Sequence, residues 1–229
     1  DLLKAAEAAV LCNDADLHEA DDQWHLHGNP SDGALMAVGM KAGLDVQTLQ
    51  GLQPRTDLIP FESVHKFMAT LHHDHDGHGI IYIKGAPERL LDMCAFQRNN
   101  GSDAALDRDY WLHQIEALAS GAQRVLAIAC RSASPEHMLL KFDDVEADLT
   151  LIALFGLIDP PRQEAIEAVA QCRAAGTRVK MITGDHATTA AAIGASFGLG
   201  REAKILTGPD LDKLDGPDFQ IAAVETDIF

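Results

Sequence analysis

The alternation of apolar and polar residues in the first two thirds of the chain predicts short helices interleaved with antiparallel strands. Residues 2–12 have the dense apolar pattern of a helix. Residues 29–32, Asn-Pro-Ser-Asp, are typical of a helix start, because Asn caps a helix well and Pro suits its first turn. We expect that helix to run to about Gly43, and we expect a loop over the acidic, histidine-rich residues 16–28. The further elements predicted for this part are strands at 56–62, 64–72, 79–85, 124–129 and 149–157 and helices at 86–94 and 106–120.

After residue 156 the pattern changes to an alternation of helix and strand, which is typical of a parallel sheet. A helix is predicted at 163–175, a strand at 177–182 and a helix at 187–197. The turn Thr183-Gly184-Asp185 would then lie at the carboxyl end of a strand and open a helix. Open α/β sheets bind ligands at that position, and the N–H groups and dipole of a helix start favour a phosphoryl group.

Composition and charge narrow the classes of partner. The chain has 229 residues, of which 47% are hydrophobic, so it can bury a substantial core. Its formal net charge of −17 argues against nucleic acid or an anionic membrane surface as a non-specific partner, while a local basic pocket for ATP remains compatible with it. The longest apolar run, Leu149–Ile158, is too short to span a bilayer. The four cysteines lack CxxC spacing, and we interpret them as reduced thiols of a cytosolic domain.

Five stretches follow one another along the chain in a distinctive order. They are LCNDA at 11–15, GNPSDGAL at 28–35, PFESVHKFMAT at 60–70, KGAPERLL at 84–91 and GLIDPPRQEAIEAVAQCRAAGTRVKMITGDHATTAAAIG at 156–194. In this order they resemble one family, the P-type cation-transporting ATPases, and within it the bacterial, Ca²⁺-pump-like type II. Several motifs in one order are far more specific than any one of them, and the resemblance covers nearly the whole chain.

The resemblance implies an α/β protein with two parts. Residues 1–156 would form an α+β nucleotide-binding domain, an antiparallel sheet with flanking helices. Residues 157–229 would form part of a phosphorylation domain with a haloacid-dehalogenase-like, Rossmannoid parallel sheet. The prolines of Asp159-Pro160-Pro161 would give a stiff hinge, because proline fixes φ and restricts the residue before it.

The resemblance also implies an ATP site in the first part. Phe61 would stack on adenine, and Asp32 matches an acidic residue near adenine that is more often Glu in the family. Ser63 departs from some animal members of the family, which carry Arg at this position; this removes one phosphate contact and suggests modest affinity.

The expected cations of that ATP site lie on the strands of a hairpin. Lys66 and Lys84 fall on family positions that line the cleft, and Lys84 is expected to be a strand-end residue with little core packing. Gly85 would let the nucleotide approach the backbone. Arg124 matches a phosphate-contacting Arg, whose fork can hold phosphate oxygens.

For the second part, the resemblance implies that Thr183, Gly184 and Asp185 form the catalytic turn at the phosphoryl site. Asp159 and Arg162 would tie the hinge to the nucleotide as the domains close. The DKTGT motif, whose aspartate takes the γ-phosphoryl group in the family, does not occur in the chain. We therefore expect a cytosolic fragment of a membrane cation pump that binds ATP, with Mg²⁺ ligands mostly outside it and no metal ligands of its own. Its partners would be ATP or ADP and the rest of the pump, at the cytoplasmic face of a membrane.

Two other functions fit parts of the sequence. A stand-alone phosphatase of the haloacid-dehalogenase type would suit the parallel-sheet pattern, but a DxDx(T/V) nucleophile motif does not precede the Thr-Gly-Asp turn. A metal-binding module could use the side chains of the 72–79 turn, since His and Asp ligate Zn²⁺ or Ni²⁺. Its candidate ligands are His72, His73, Asp74, His75, Asp76 and His78.

Overall fold

The computed structural model describes residues 1–20, 23–121, 123–158, 161–184, 187–199 and 204–229. Its contacts divide the chain into two compact units. The first unit contains Asp1–Ile115 and Val125–Leu157, and the second contains Glu116–Arg124 and Ile158–Phe229.

The helices and strands form a mixed α/β protein, as predicted from the sequence. The helices are α1 (Leu2–Leu11), α2 (Pro30–Lys41), α3 (Val46–Leu52), α4 (Pro87–Met93), α5 (Arg108–Ser120), α6 (Gln163–Ala174), α7 (Ala187–Ser196), α8 (Gly208–Leu211) and α9 (Gly216–Glu225). The strands are β1 (Asp16–Ala20), β2 (Gln23–His27), β3 (Arg55–Glu62), β4 (Phe67–His73), β5 (Gly79–Gly85), β6 (Cys94–Asn99), β7 (Ser102–Ala105), β8 (Arg124–Ala133) and β9 (Leu149–Leu157). In the described residues, no helix is both long enough and apolar enough to cross a membrane.

The strands of the first unit form two sheets. Within the described residues, β1 and β2 make a two-stranded antiparallel sheet, and the larger sheet has the strand order β3-β4-β5-β8-β9-β6-β7. Strands β3, β4, β5 and β8 pair antiparallel in succession, which confirms the predicted hairpin, and β6 pairs parallel with β9.

The central strands are buried on both faces, so their sequences are almost continuously apolar. Alternate side chains of β4, β5 and β8 enter two cores. Phe67, Leu71 and Ile83 pack with residues of α4 and α5 on one face. On the other face, Met68 and Tyr82 pack with residues of α1 and α2.

Helix α2 begins as its sequence predicts. The side chain of Asn29 accepts a hydrogen bond from the backbone N–H of Ser31 at 2.9 Å, and Pro30 occupies the first turn, where its missing N–H has no intrahelical partner to lose. The helix places Asp32 in its first turn, close to the larger sheet.

The expected loop over residues 16–28 is wrong, because β1 and β2 form a hairpin there with Leu17 opposite Leu26. These leucines alternate with polar residues, and the short period-2 pattern was hidden by the many histidines and acidic residues. In the second unit, the predicted strand 177–182 is, within the described residues, an isolated parallel bridge between Met181 and Ile228.

Leu71 provides a test of the core assigned to β4. It is fully buried in the cluster that faces α4 and α5. Leu71→Ala should lower the free energy of unfolding by about 2–5 kcal/mol, because truncation removes buried apolar contacts and leaves a cavity. Leu139 is 68% exposed, so Leu139→Ala should change it by less than about 0.5 kcal/mol. Urea denaturation of both variants checks the assignment, and similar losses in the two would contradict it.

His72 provides a test of the other face of β4. Its ring is buried, and the ring atom Nδ1 lies 2.9 Å from the carbonyl oxygen of Gln53. Burial lowers the pKa of His72 from its usual value of 6.5 to about 4. The positive charge of Arg55 also lowers it, whereas the hydrogen bond to Gln53 raises it.

Because the folded pKa of His72 is below the unfolded one, its contribution to stability is fully present above pH 6.5 and is lost as the pH falls toward 4. That loss should be about 3 kcal/mol. His72→Leu should flatten the dependence of unfolding free energy on pH between 4 and 7, whereas His113→Leu, at an exposed position, should not. Parallel pH profiles for wild type and His72→Leu would be the contrary result.

Candidate functional site

The strand register gathers several of the predicted ligand-binding residues at one end of the larger sheet. Glu62 of β3 pairs with Phe67 of β4, Phe67 with Gly85 of β5, and Gly85 with Ala127 of β8. We call this the Gly85 end of the sheet, defined by these four residues. Phe61, Lys66 and Lys84 each adjoin one of them along the chain, so the register places the three positions near this end of the sheet.

Lys84 is buried and paired, rather than a strand-end residue with little core packing. Its Nζ lies 2.6 Å from Oδ1 of Asp32, and the side chains of Lys84 and Asp32 are only 6% and 15% exposed. The reason is strand parity: Lys84 is two residues after Tyr82, so it shares the face of β5 that α1 and α2 cover. The ion pair therefore links β5 to the first turn of α2.

Asn13 fixes the backbone at Asp32, and sequence reasoning did not single it out. Its Nδ2 donates to the carbonyl oxygens of Asp32, at 2.9 Å, and Ala9, at 3.1 Å. Its Oδ1 accepts from the N–H of Ala15 at 2.9 Å. A buried asparagine with these three bonds ties the end of α1 to α2. Asn13 could have been found from the sequence, because it lies in the LCNDA stretch directly after an apolar helix.

Phe61 lies near the end of β3 with 59% of its surface exposed. A register shift between Ile59 and Glu62 interrupts the pairing of β3 with β4 at this point. Ile59 is buried two residues earlier, so the sheet core ends before Phe61. An exposed aromatic ring beside a sheet end can receive the face of a planar ligand.

The turn between β3 and β4 contains Ser63 and Lys66, both exposed. Lys66 therefore lies just before β4 and not on a hairpin arm as predicted. Its φ of +60° is in the left-handed region, which is uncommon for a residue with a side chain. Its carbonyl oxygen accepts a hydrogen bond from the N–H of Ala86 at 2.9 Å, so the turn is held against the end of β5.

Gly85 is required by the chain's own packing. A Cβ built on Gly85 would lie 2.4 Å from the carbonyl oxygen of Lys66 and 2.8 Å from Cα of Phe67. Both contacts are to backbone, which cannot move aside as a flexible side chain would. The approach of β4 is therefore sufficient to require a glycine here, and the close approach of a nucleotide to Gly85 stays a prediction.

Two arginines complete the cations considered for the site. Arg124 is the first residue of β8, three positions before Ala127, and is exposed. Arg89 of α4 was not singled out from the sequence, and its guanidinium lies 5.8 Å from the centre of the Phe67 ring. Arg89 could have been found from the sequence, because it lies in the first turns of the helix that follows Gly85.

The phosphoryl-site candidates belong to the second unit. The N–H of Thr183 donates to the carbonyl oxygen of Phe229 at 2.9 Å, which joins the turn to the last residues of the chain. Gly184 follows in a bend, and Arg162 is the exposed N-cap of α6. Asp185 and Asp159 lie outside the described residues.

The histidines of the 72–79 turn do not act as one group. Nδ1 of His73 lies 2.8 Å from Oγ1 of Thr56, and His72 faces the α1 side of the sheet. Asp74, Asp76 and His78 form a separate exposed group at the turn between β4 and β5.

Comparison with known proteins identifies the family. The family model described as P-type ATPase, cytoplasmic domain N, matches residues 1–164. A cation-transporting ATPase of Synechocystis is 44% identical over 84% of the chain and 21% of its own length. A probable cation-transporting ATPase F of Mycobacterium bovis is 38% identical over 97% of the chain and 25% of its own length. A calcium-transporting ATPase of Lactococcus lactis is 37% identical over 90% of the chain and 24% of its own length.

The chain thus spans about a quarter or less of the length of these relatives. The family model matches most of the chain, and the relative from Mycobacterium bovis matches 97% of it. Both findings agree with the resemblance found in the motifs. The alternatives of a stand-alone phosphatase and a metal-binding module are not favoured. The chain belongs to the P-type ATPase family, whose cytoplasmic domain N it contains.

Proposed function

We propose that the chain is the ATP-binding part of a membrane cation pump that couples ATP hydrolysis to ion transport. Family membership supports this proposal, as do the names of its relatives, which are cation-transporting and calcium-transporting ATPases. The observation that carries it is the group at the Gly85 end of the sheet: an exposed aromatic ring, an exposed lysine and a buried lysine paired with an acid.

Adenine recognition is assigned to Phe61 and Asp32. Phe61 presents its ring to solvent beside the sheet end, where a base can stack on it. A carboxylate accepts hydrogen bonds, so Asp32 can accept one from the amino group of adenine. Asn13 would act as a positioning residue, because it holds the backbone of Asp32 at 2.9 Å.

Lys84 is assigned the role of the fixed cation. Its ammonium has three donors, so it can keep its bond to Asp32 while donating to the nucleotide. In a chain with a net charge of −17, a cation held in place offsets the repulsion that an anionic ligand meets.

The phosphates are assigned to cations that are less buried than Lys84. Lys66 is exposed in its turn, and Arg124 and Arg89 are further candidates. Ser63 contributes no charge, and we therefore expect modest affinity. Mg²⁺ would be bound mainly through the phosphates of ATP, as is usual for this ion, and we assign it no ligand among the described residues.

Phosphoryl transfer to an aspartate is assigned to a segment outside this sequence, because DKTGT does not occur in it. Thr183 and Gly184 would help to hold the transferred group through hydroxyl and backbone donors, and Asp185 would order the site. Asp159 and Arg162 would act at the hinge. The remaining pump chain is the proposed partner, and the cytoplasmic face of a membrane is the proposed location.

The role of Phe61 leads to a direct test with the isolated chain. Phe61→Ala should weaken binding of MgATP by about 1–3 kcal/mol, since base–aromatic stacking has that magnitude. This corresponds to roughly fivefold to 150-fold in the dissociation constant. Isothermal titration calorimetry measures it. The fold should be retained, because 59% of the Phe61 surface is exposed.

The matched control for that test is Phe96→Ala. Phe96 is 42% exposed and lies on β6, at a different place in the same sheet. Its replacement should leave the affinity for MgATP unchanged. Equal affinities for wild type and Phe61→Ala would remove Phe61 from the site.

The buried ion pair leads to a prediction that separates binding from folding. Lys84→Met should lower the free energy of unfolding by about 3–5 kcal/mol, because it leaves the Asp32 carboxylate buried without its cation. It should also reduce MgATP affinity. The double variant Lys84→Met/Asp32→Leu should recover much of the stability but not the affinity, since the pair is replaced by apolar groups while the cation is still missing.

Chemical denaturation and calorimetric titration of the two variants measure the two effects separately. Lys41→Met, at an exposed position in the last turn of α2, is the control and should alter neither property. A double variant that is folded and binds MgATP as well as wild type would contradict the assignment of Lys84.

A further inference from the structure

The hairpin of β1 and β2 carries three histidines and an aspartate on one face. In the antiparallel register, His18 pairs with His25, and Asp16 pairs with His27. His25 and His27 are two residues apart on one strand, as are Asp16 and His18 on the other. Because side chains alternate between the faces of a strand, all four project from the same face.

The opposite face of the hairpin is the one that packs on the protein. Leu17 and Leu26 pair across the strands on that face. Leu17 packs against the cluster that contains Val10 and Met36, and a Cβ added to Gly33 of α2 would lie 2.5 Å from Cδ1 of Leu26. The histidine face is therefore turned away from α2, and its four residues are exposed.

The three imidazole rings already lie close together. The centre of the His18 ring is 5.8 Å from that of His25 and 5.7 Å from that of His27. The rings are nearly parallel, with interplanar angles of 25° and 10°. His18 thus lies between the other two and could share a ligand with both.

Asp16 orients the central histidine. Its Oδ2 lies 3.1 Å from Nδ1 of His18. A carboxylate accepts only, so Nδ1–H of His18 donates to it, and in the neutral ring Nε2 then carries the lone pair. Metal-bound histidines commonly donate their other ring N–H to a carboxylate in this way.

We propose that this face, defined by His18, His25 and His27 with Asp16 behind His18, binds a divalent transition metal ion of the Zn²⁺ class. Imidazole nitrogen suits Zn²⁺, Ni²⁺ and Cu²⁺, whereas Mg²⁺ and Ca²⁺ prefer oxygen. Three protein ligands leave a fourth tetrahedral position for water. The site is separate from the proposed ATP site, and it does not depend on that function.

The spacing of the rings suits such an ion. Two imidazoles bound to one tetrahedral Zn²⁺, each at a Zn–N distance of about 2.0–2.1 Å, have ring centres roughly 5 Å apart. The observed separations of 5.7 and 5.8 Å exceed this by less than an ångström. Rotation of the exposed side chains about their χ angles turns the nitrogens toward a common point without moving the strands.

The acidic turn between β4 and β5 is a weaker candidate. In the described part of the chain, Asp74, Asp76 and His78 are a group whose ligand atoms lie within 4.8 Å of one another. However, Asp74 already accepts hydrogen bonds from the N–H groups of Asp76 and His78 and contacts the His78 ring. This turn also offers a single imidazole, whereas the hairpin face offers three.

The test is a calorimetric titration of the chain with ZnCl₂ in a buffer without chelators. Wild type should bind about one ion per chain saturably, and His25→Asn and His27→Asn should each weaken binding at least tenfold. Asp16→Asn should weaken it by about 10–100-fold, the usual effect of losing a carboxylate behind a metal-bound histidine. Circular dichroism checks that each variant is folded, as expected for exposed positions.

Two variants serve as matched controls, His113→Asn on the exposed part of α5 and His78→Asn in the acidic turn. Both should bind Zn²⁺ as wild type does. Nuclear magnetic resonance gives a second readout, in which the imidazole signals of His18, His25 and His27 should shift together during the titration. Absence of saturable binding, or binding that His78→Asn abolishes and His25→Asn leaves intact, would overturn the proposal.

Discussion

An ammonium group enclosed between a sheet and a helix needs an anionic partner, since burying an unpaired charge costs far more than one packing contact provides. Lys84 and Asp32 satisfy this requirement at a distance of 2.6 Å. The pair determines where the first turn of α2 lies on β5, and Asn13 holds the same turn to the end of α1. Helix α2 in turn supports the hairpin through the packing of Leu26 against Gly33. The buried ion pair therefore helps to fix where α2, and through it the hairpin, lies on this face of the sheet.

The same pair divides the proposed ATP site into a fixed part and an adjustable part. Lys84 and Asp32 are held by burial and by each other, so they are ready for a ligand before it arrives, which reduces the ordering cost of binding. Phe61 and Lys66 are exposed and can adjust to the base and to the phosphates. Selection for stability and selection for binding would act on the same fixed residues, whereas changes in the exposed part could alter affinity with little effect on the fold.

Strand register is the second organising constraint, and it acts in the same way in both sheets. In the larger sheet, the pairing of Phe67 with Gly85 brings the neighbours of both residues to one end. In the hairpin, the pairing of His18 with His25 collects three imidazoles on the outward face. A shift of one strand by one residue would turn its side chains to the opposite face and so separate the members of each set. The backbone contacts of Gly85 and the leucine pair of the hairpin oppose such a shift.

The sequence by itself determined the elements whose causes are local. The cap at Asn29, the continuous apolar strands β4, β5 and β9, and the family motifs can all be recognised within a few residues. The sequence could not determine that Lys84 is buried, because this depends on which face of β5 is covered by α2, some 50 residues away. Nor could it show that Gly85 accommodates the backbone of Lys66, or that His18, His25 and His27 share one face, since both follow from pairing between strands. Local propensity specifies each strand, but only tertiary packing decides its partner, its register and the face that meets solvent.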